Sequence, residues 1–302
     1  MPASNLIHNI RKNIYYASYY CAARLGHRRP LLAGIKLTHD CNLRCDHCPF
    51  WKKTGARLSF QQALSAMQEL HRKGVRLIIF EGGEPFLWRD GDYAVSDLVA
   101  EAKKLFFSVG ITTNGTFPIN ADADIVWVSI DGLRETHNRL RCNSFDKAME
   151  NIKNSTHTRI FAHITINAVN FKETAELVRF LSTRVKGITI QFHYPYQEGE
   201  KEMSLNPEER KTVLETLILL KKQGLPVSNS YACLNALKEN RWKCHAWMIA
   251  SVEPDGTITH GCYVRNRGAV SCEKCGFSAH TEISLAYSGV LESILQKNRI
   301  FG

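Results

Sequence analysis

Three cysteines, Cys41, Cys45 and Cys48, fall within eight residues of the string "DCNLRCDHCPF", spaced C-x3-C-x2-C. Three thiolates are one short of a closed tetrahedral zinc site and one short of a fully ligated four-iron cube. If they hold three irons of a [4Fe–4S] cube, the fourth iron is open to a chelating ligand, just as a catalytic metal keeps a free position. A zinc ion completed from elsewhere, with His47 a candidate, is the other reading of the spacing. Cys244, Cys262, Cys272 and Cys275 form a second set. Four thiols complete one tetrahedral set, suited to zinc or to an iron–sulfur cluster. Full ligation there implies electron transfer or structure, not substrate binding. Cys233 is a spare candidate ligand, and Cys21 and Cys142 are expected to be ordinary buried thiols.

The elements that must position these groups alternate along the chain. Residues 31–39, 75–83, 106–115, 124–132, 159–170 and 187–195 read as six strands. The second, "VRLIIFEGG", is apolar in both phases, as expected of a parallel strand buried on two faces. Helical periodicity lies between most of them, at 59–74, 93–105, 144–155 and 172–185, with a further helix at 206–224. Ser59 and Gln62 make a capping box and Gly74 a stop. Asn206 and Pro207 open the last of these helices. This alternation predicts an α/β fold with a parallel sheet and right-handed crossovers. One crossover, between Gly115 and Asp124, has room only for a turn or an irregular link. Beyond Gly224 the periodicity fades, and a hairpin turning at Asp255-Gly256 is expected to deliver Cys262. At the other end, Leu6, Ile10, Ile14, Ala17 and Cys21 fall on one helical face, flanked by arginines and a lysine.

The cysteine triad follows the first strand, and sites in parallel α/β folds are built at strand C-terminal ends. "EGGEPFL" closes the second strand, "TTNG" the third, and "VSIDGLRETHNRLRCNSFDKAMENI" follows the fourth. These four motifs, in this order, resemble those of the radical S-adenosylmethionine (radical SAM) enzymes, over about residues 31–200 and more loosely to 275. The resemblance implies a partial (β/α)6 barrel at 31–224, preceded by an amphipathic helix at 1–30. A small Cys-rich extension at 225–302 would follow, carrying an auxiliary-cluster module and a lid. It implies that Cys41, Cys45 and Cys48 ligate a [4Fe–4S] cluster whose open iron takes the methionine part of SAM. Gly82, Gly83, Glu84 and Pro85 match the motif that receives the methionine amino group, with Glu84 an acceptor for the ammonium. Asn114 closes the third strand motif. Ser129 and Asp131 belong to the fourth, Ser129 near the ribose or carboxylate. Arg141 matches the arginine that pairs with the SAM carboxylate, and Asn167 a polar ribose contact. His47 stands where an aromatic is usual and keeps a ring for adenine. Asn138 replaces the usual Asp and Cys142 the usual Gly. The C-terminal quartet resembles a shortened auxiliary module holding a second [4Fe–4S] cluster, with zinc as the alternative.

The chemistry so implied is one-electron cleavage of SAM to a 5′-deoxyadenosyl radical, with a ferredoxin or flavodoxin as donor. That radical abstracts hydrogen from, or adds to, a small-molecule or lipid substrate. No catalytic residue is assigned; His163, His193, Tyr194 and Tyr196 are candidate pocket residues. A radical peptide maturase is a second possibility, weakened by the mere thirty residues before the first strand. A non-catalytic zinc protein is a third, and leaves the glycine-rich motifs without a role. The 302 residues carry 39 Lys and Arg against 29 Asp and Glu, a net charge of +10. Dispersed charge of this kind suits an anionic small molecule or a membrane surface, and no nucleic-acid partner is expected. Arg11 and Lys12 interrupt the N-terminal segment where a signal peptide would be apolar, so a cytoplasmic location is expected, with a peripheral membrane contact through the basic helix.

Overall fold

The computed structural model describes residues 3–53, 55–196 and 202–301. Six strands run parallel and side by side: β1 (Leu32–Lys36), β2 (Leu77–Glu81), β5 (Ser108–Thr113), β6 (Ile125–Ser129), β7 (Ile160–Ile166) and β8 (Gly187–Phe192). A two-stranded ribbon, β3 (Arg89–Asp90) and β4 (Tyr93–Ala94), interrupts the connection after β2. The C-terminal segment adds two more strands to the main sheet. β9 (Ile249–Val252) pairs parallel with β1, and β10 (Ile258–His260) antiparallel with β9. The hairpin expected at Asp255-Gly256 is therefore present, with Gly256 at φ 87. Sequence patterning gave no sign that it joins the barrel sheet, because β9 is too short to display a period. The sheet order is β10-β9-β1-β2-β5-β6-β7-β8, curled and open rather than closed.

Helices α2 (Phe60–Arg72), α3 (Val95–Leu105), α4 (Arg134–Leu140), α5 (Phe145–Asn154) and α6 (Thr174–Leu181) lie in the crossovers, with α7 (Pro207–Lys222) after β8. The Ser59–Gln62 box is formed, and Gly74 ends α2 at φ 103, a conformation glycine adopts without strain. Asn206 caps α7 in a second box with Glu209, whose side chain answers the Asn206 N–H. The link from Gly115 to Asp124 is irregular, as its length demanded. After α8 (Tyr231–Glu239), helix α9 (Ser278–Tyr287) packs against β8 and the approach to β9, covering the gap between the sheet's two edges. The final helix, α10 (Leu291–Phe301), ends at the strands' N-terminal side. Its last carbonyls there accept from Lys12 and Arg159, cations well placed for a helix C-terminus.

Helix α1 (Ala3–Arg24) forms over the segment where the periodicity placed it, and it carries two apolar faces. The face carrying Ile10, Ile14, Ala17 and Cys21 is solvent-exposed, with Ile14 64% accessible. The opposite face, with Tyr15, Tyr16, Tyr19 and Ala23, packs on the barrel through Leu31, Trp247, Met248 and Tyr287. The tyrosines win because each joins an apolar ring to a hydroxyl the barrel can satisfy. Tyr15 donates to the Gly74 carbonyl at 2.6 Å and Tyr19 to that of Arg29 at 2.6 Å. Cys21 and Cys142 are likewise exposed, not buried; Cys233 is the thiol that sits in the core.

Candidate active site

Every crossover returns the chain so that strand C-terminal ends share one rim, and the sequence motifs meet there. A cavity of about 630 Å³ opens beneath that rim. Its wall includes Cys41, Cys45, His47, Cys48, Gly82, Gly83, Asn114, Ser129 and Arg141. The loop after β1 turns tightly, with the Cys48 N–H on the Cys45 carbonyl at 3.1 Å. Asn114 Nδ2 reaches Cys41 Sγ at 3.7 Å and Arg141 Nη1 reaches Cys45 Sγ at 3.9 Å. Burial pushes the Cys45 thiol up to about 12, and the neighbouring Cys48 and Cys41 add to the rise against Arg141. Among the described residues no three His, Cys, Asp or Glu side chains converge on a single-ion position. Thiols that each serve a different iron of a cube need no such convergence.

Gly82 and Gly83 let the β2 end lie against the triad loop. A β-carbon on Gly83 would stand 2.0 Å from the Asp40 carbonyl oxygen, and one on Gly82 2.7 Å from that of Thr38. Only glycine permits this approach. The other half of the motif is spent inside the protein. Glu84 is fully buried; its Oε1 accepts from Phe86 N and Thr113 Oγ1 and its Oε2 from Asn114 N at 2.7 Å. Both oxygens are therefore occupied in tying β5 to β2, and neither Glu84 nor Pro85 reaches the cavity wall. This corrects the expectation of Glu84 as an ammonium acceptor. Burial lifts its carboxyl to about 7 despite these donors.

Asp131 and Arg141 form a buried ion pair, Nε to Oδ2 at 2.5 Å, and Asp131 Oδ1 accepts from Thr165 N at 2.7 Å. Burial opposes the Asp131 charge, yet Arg141 and the Thr165 N–H bring its carboxyl below the ordinary value. Asp131 thus aims Arg141, which faces the cavity, while itself standing behind the wall. His47 lies 3.3 Å from Asp131 Oδ2. Burial drops the imidazole to about 4, so the ring is neutral and the contact is not a salt bridge; Arg141 Nη2 reaches the same Nε2 at 3.4 Å. The ring's Nδ1 is buried and has no hydrogen-bond partner. Asn167 does not line the cavity either. Its Oδ1 accepts from Val169 N and its Nδ2 donates to the Thr165 carbonyl, shaping the turn after β7; Thr165 is the residue of that strand on the wall.

Several wall residues went unnoticed in the sequence. Lys36 donates to Glu81 at 3.1 Å and to the Tyr263 hydroxyl at 3.0 Å, and Arg267 lies across the Tyr263 ring and pairs with Glu253. The available signal was a lysine inside the otherwise apolar "LLAGIKL". His163 and His193 do face inward; His163 Nδ1 meets Thr189 Oγ1 at 2.9 Å, and burial holds its ring near 4, hence neutral. Tyr194 ties the wall to the Cys-rich loop, donating to Ala269 O and accepting from Ser271 N at 2.8 Å. Tyr196 is a further wall residue.

The second cysteine set is gathered beside this wall. Cys262 and Cys275 pack with Tyr194, Val264 and Phe277. Burial raises the Cys275 thiol to about 11, with Cys244 and Cys262 close enough to add to it. Cys272 likewise contributes to the rise at Cys244. Asn240 Nδ2 holds the Cys272 carbonyl at 2.7 Å and Arg210 that of Cys275 at 2.8 Å.

Comparison with known proteins agrees with this layout. The Radical SAM superfamily profile matches residues 35–173 of the chain. It is 31% identical over 163 residues to the sporulation killing factor maturation protein SkfB of Bacillus subtilis, spanning 49% of this chain and 39% of that protein. It is 27% identical over 235 residues to Fe-coproporphyrin III synthase of Methanosarcina barkeri, spanning 68% and 58%. The match thus spans 39% and 58% of the length of these curated relatives. Streptococcus suis SuiB, solved with its precursor peptide SuiA, shares the fold with a TM-score of 0.65 at 13% identity, over 97% of this chain and 71% of that one.

Proposed function

We propose that the protein is a radical SAM enzyme that acts on a small molecule or lipid. Cys41, Cys45 and Cys48 would hold a [4Fe–4S] cluster, with SAM beside it in the cavity. When bound, that pair supplies reductive cleavage to a 5′-deoxyadenosyl radical, which abstracts hydrogen from or adds to a carbon centre. The observation that carries the reading is the glycine cradle, in which Gly82 and Gly83 touch the triad loop so closely that no β-carbon fits. Ligand-facing donors and acceptors complete it. Arg141, aimed by Asp131, offers a guanidinium fork to a carboxylate. Ser129 and Asn114 offer polar edges. His47 Nδ1, buried and without a hydrogen-bond partner, offers a polar atom to an edge of adenine. Glu84 acts as a positioning residue, fixing Asn114 relative to the cradle.

Cys244, Cys262, Cys272 and Cys275 would hold a second [4Fe–4S] cluster. Cys244 and Cys272 are solvent-exposed, so a ferredoxin or flavodoxin could approach within electron-transfer range. The names of SkfB and of the SuiA-bound SuiB favour a second reading, peptide maturation. SkfB is matched over only 39% of its length and SuiB shares only 13% identity, so neither carries its substrate across. No described helix is long and apolar enough to cross a membrane. The test is anaerobic reconstitution followed by SAM and dithionite. About eight irons per chain and formation of 5′-deoxyadenosine are expected. A fully iron-loaded protein that leaves SAM intact would overturn the reading, and a colourless zinc protein would restore the structural alternative.

A further inference from the structure

The cavity continues far beyond the cofactor residues, and its character changes on the way. Leu32, Gly34 and Lys36 all stand on its wall, and those five residues of β1 span about 13 Å. Away from Lys36 the lining turns largely apolar, with Glu282 of α9 and Ser293 and Gln296 of α10 as polar exceptions. Leu77, Ile79 and Trp127 come from the barrel, Ile283 and Ala286 from α9, and Ile300 from α10. On α1, Ala17 and Tyr20 line the cavity and are also solvent-exposed. The seam between α1 and α9, away from the cysteine triad, therefore borders both the cavity and solvent, a mouth closed by the Tyr20 and Tyr287 rings, whose centroids are 5.7 Å apart. Charged groups on the wall are already answered within the protein: Lys36 by Glu81, Arg141 by Asp131, and Glu282 by Ser230. The exposed apolar face of α1 begins beside that mouth, with Arg24 and Arg28 near it.

We propose that the substrate is an amphiphile with a long hydrocarbon chain, which lies in this lower half of the barrel and passes out between α1 and α9. The proposal rests on the radical SAM reading and narrows its substrate class. A charged peptide would find no unanswered countercharge on this stretch of wall, whereas methylenes would bury against leucine, isoleucine and tryptophan. The wider polar end then receives the functionalised part of the molecule next to SAM. A lipid leaving a bilayer would meet the α1 face first, and the neighbouring arginines suit an anionic surface.

The test uses cis-parinaric acid, which fluoresces when its chain is shielded from water, on the iron-loaded full-length protein with SAM present. Saturable binding is expected. Displacement by n-alkanols from butanol to hexadecanol should strengthen about threefold to fourfold per methylene until the chain fills the channel. Ala286→Trp, which fills the lower cavity, should weaken parinaric binding at least tenfold. Ala17→Trp, on an exposed helix position and safe for folding, should weaken it severalfold. Leu219→Trp, exposed on α7 and remote from the cavity, should not. No saturable binding, affinity independent of alkanol length, or unchanged binding in both channel variants would overturn the proposal. SAM cleavage by the wild-type protein is scored separately. Cleavage without chain binding sinks the lipid inference alone, and chain binding without cleavage sinks the enzymatic reading.

Discussion

Along β1, Lys36 meets Glu81 and Tyr263 at the upper level of the barrel, while Leu32, four residues below, belongs to an apolar set with Leu77 and Ile79. Along β6, Ser129 faces the cofactor cradle and Trp127 lies across Gly110 toward Phe161 and Phe301. One set of strands thus builds two different ends. At the upper end, polar groups are fixed by buried partners: Glu84 by three donors, Arg141 by Asp131. At the lower end, aromatic surface is fixed by packing, and helix termini are tied down by Lys12 and Arg159. Orientation dominates one end and hydrocarbon volume the other. The proposed radical chemistry would need both, since a reactive intermediate must be aimed and must be kept from water.

The comparison breaks most sharply at the triad. Cys45→Ala should abolish 5′-deoxyadenosine formation, a loss of at least about a thousandfold in rate, a drop of about 4 kcal/mol in barrier stabilisation. Iron should fall by about four per chain, with the lower end unaffected as judged by parinaric binding. Equal iron loss from Cys45→Ala and from Trp127→Ala would erase the distinction between the ends. Trp127→Ala should instead cost stability, about 3 kcal/mol in a urea melt, because it removes a large buried ring that Phe161 and Phe301 contact.

A pH titration of the metal-free protein sharpens the upper end. Glu84 has a folded-state value of about 7, raised by burial above the ordinary 4.5. The folded state therefore keeps a proton that the unfolded chain has lost, and stability falls as pH rises from about 4.5 to about 7. The loss attributable to this group is roughly 3 kcal/mol. Glu84→Gln should flatten that slope in urea melts run at pH 5 and pH 7.5. A slope unchanged by the substitution would mean that other groups carry it.

Much of the upper end was legible in the sequence because its constraints are local. A glycine pair must follow β2, and cysteines must follow β1, wherever the fold places them. Six strands and their crossovers were equally readable from periodicity. The lower end was not legible, since Trp127, Ile300 and Tyr20 meet only through tertiary packing and none carries a motif. Helix α1 shows why. Two apolar faces share that helix, and the periodicity that marked Ile10 and Ile14 did not mark the tyrosines. Hydrogen bonds from Tyr15 and Tyr19 to backbone carbonyls fix the face that packs. Glu84 and Asn167 were found by position but given outward roles, because a motif marks where a residue stands and not which way its side chain turns.

The smallest expected effect concerns the rim itself. Cys142 stands at φ 53 and Asn143 at φ 56, two left-handed residues in succession after α4. Asparagine tolerates that conformation better than cysteine does, which gives a physical reason for the glycine that the resemblance implies at the first position. The Cys142 thiol recovers something by accepting from Arg44 N at 3.3 Å, a contact to the triad loop. Sulfur is a weak acceptor, so backbone relief should outweigh it. Cys142→Gly is expected to stabilise the protein by about 1 kcal/mol in a urea melt, although glycine also loosens the unfolded chain. If the variant is less stable, the Arg44 contact holds the triad loop more firmly than its chemistry suggests. Cys142→Ala then separates the two contributions, since it removes the thiol and keeps the strained backbone.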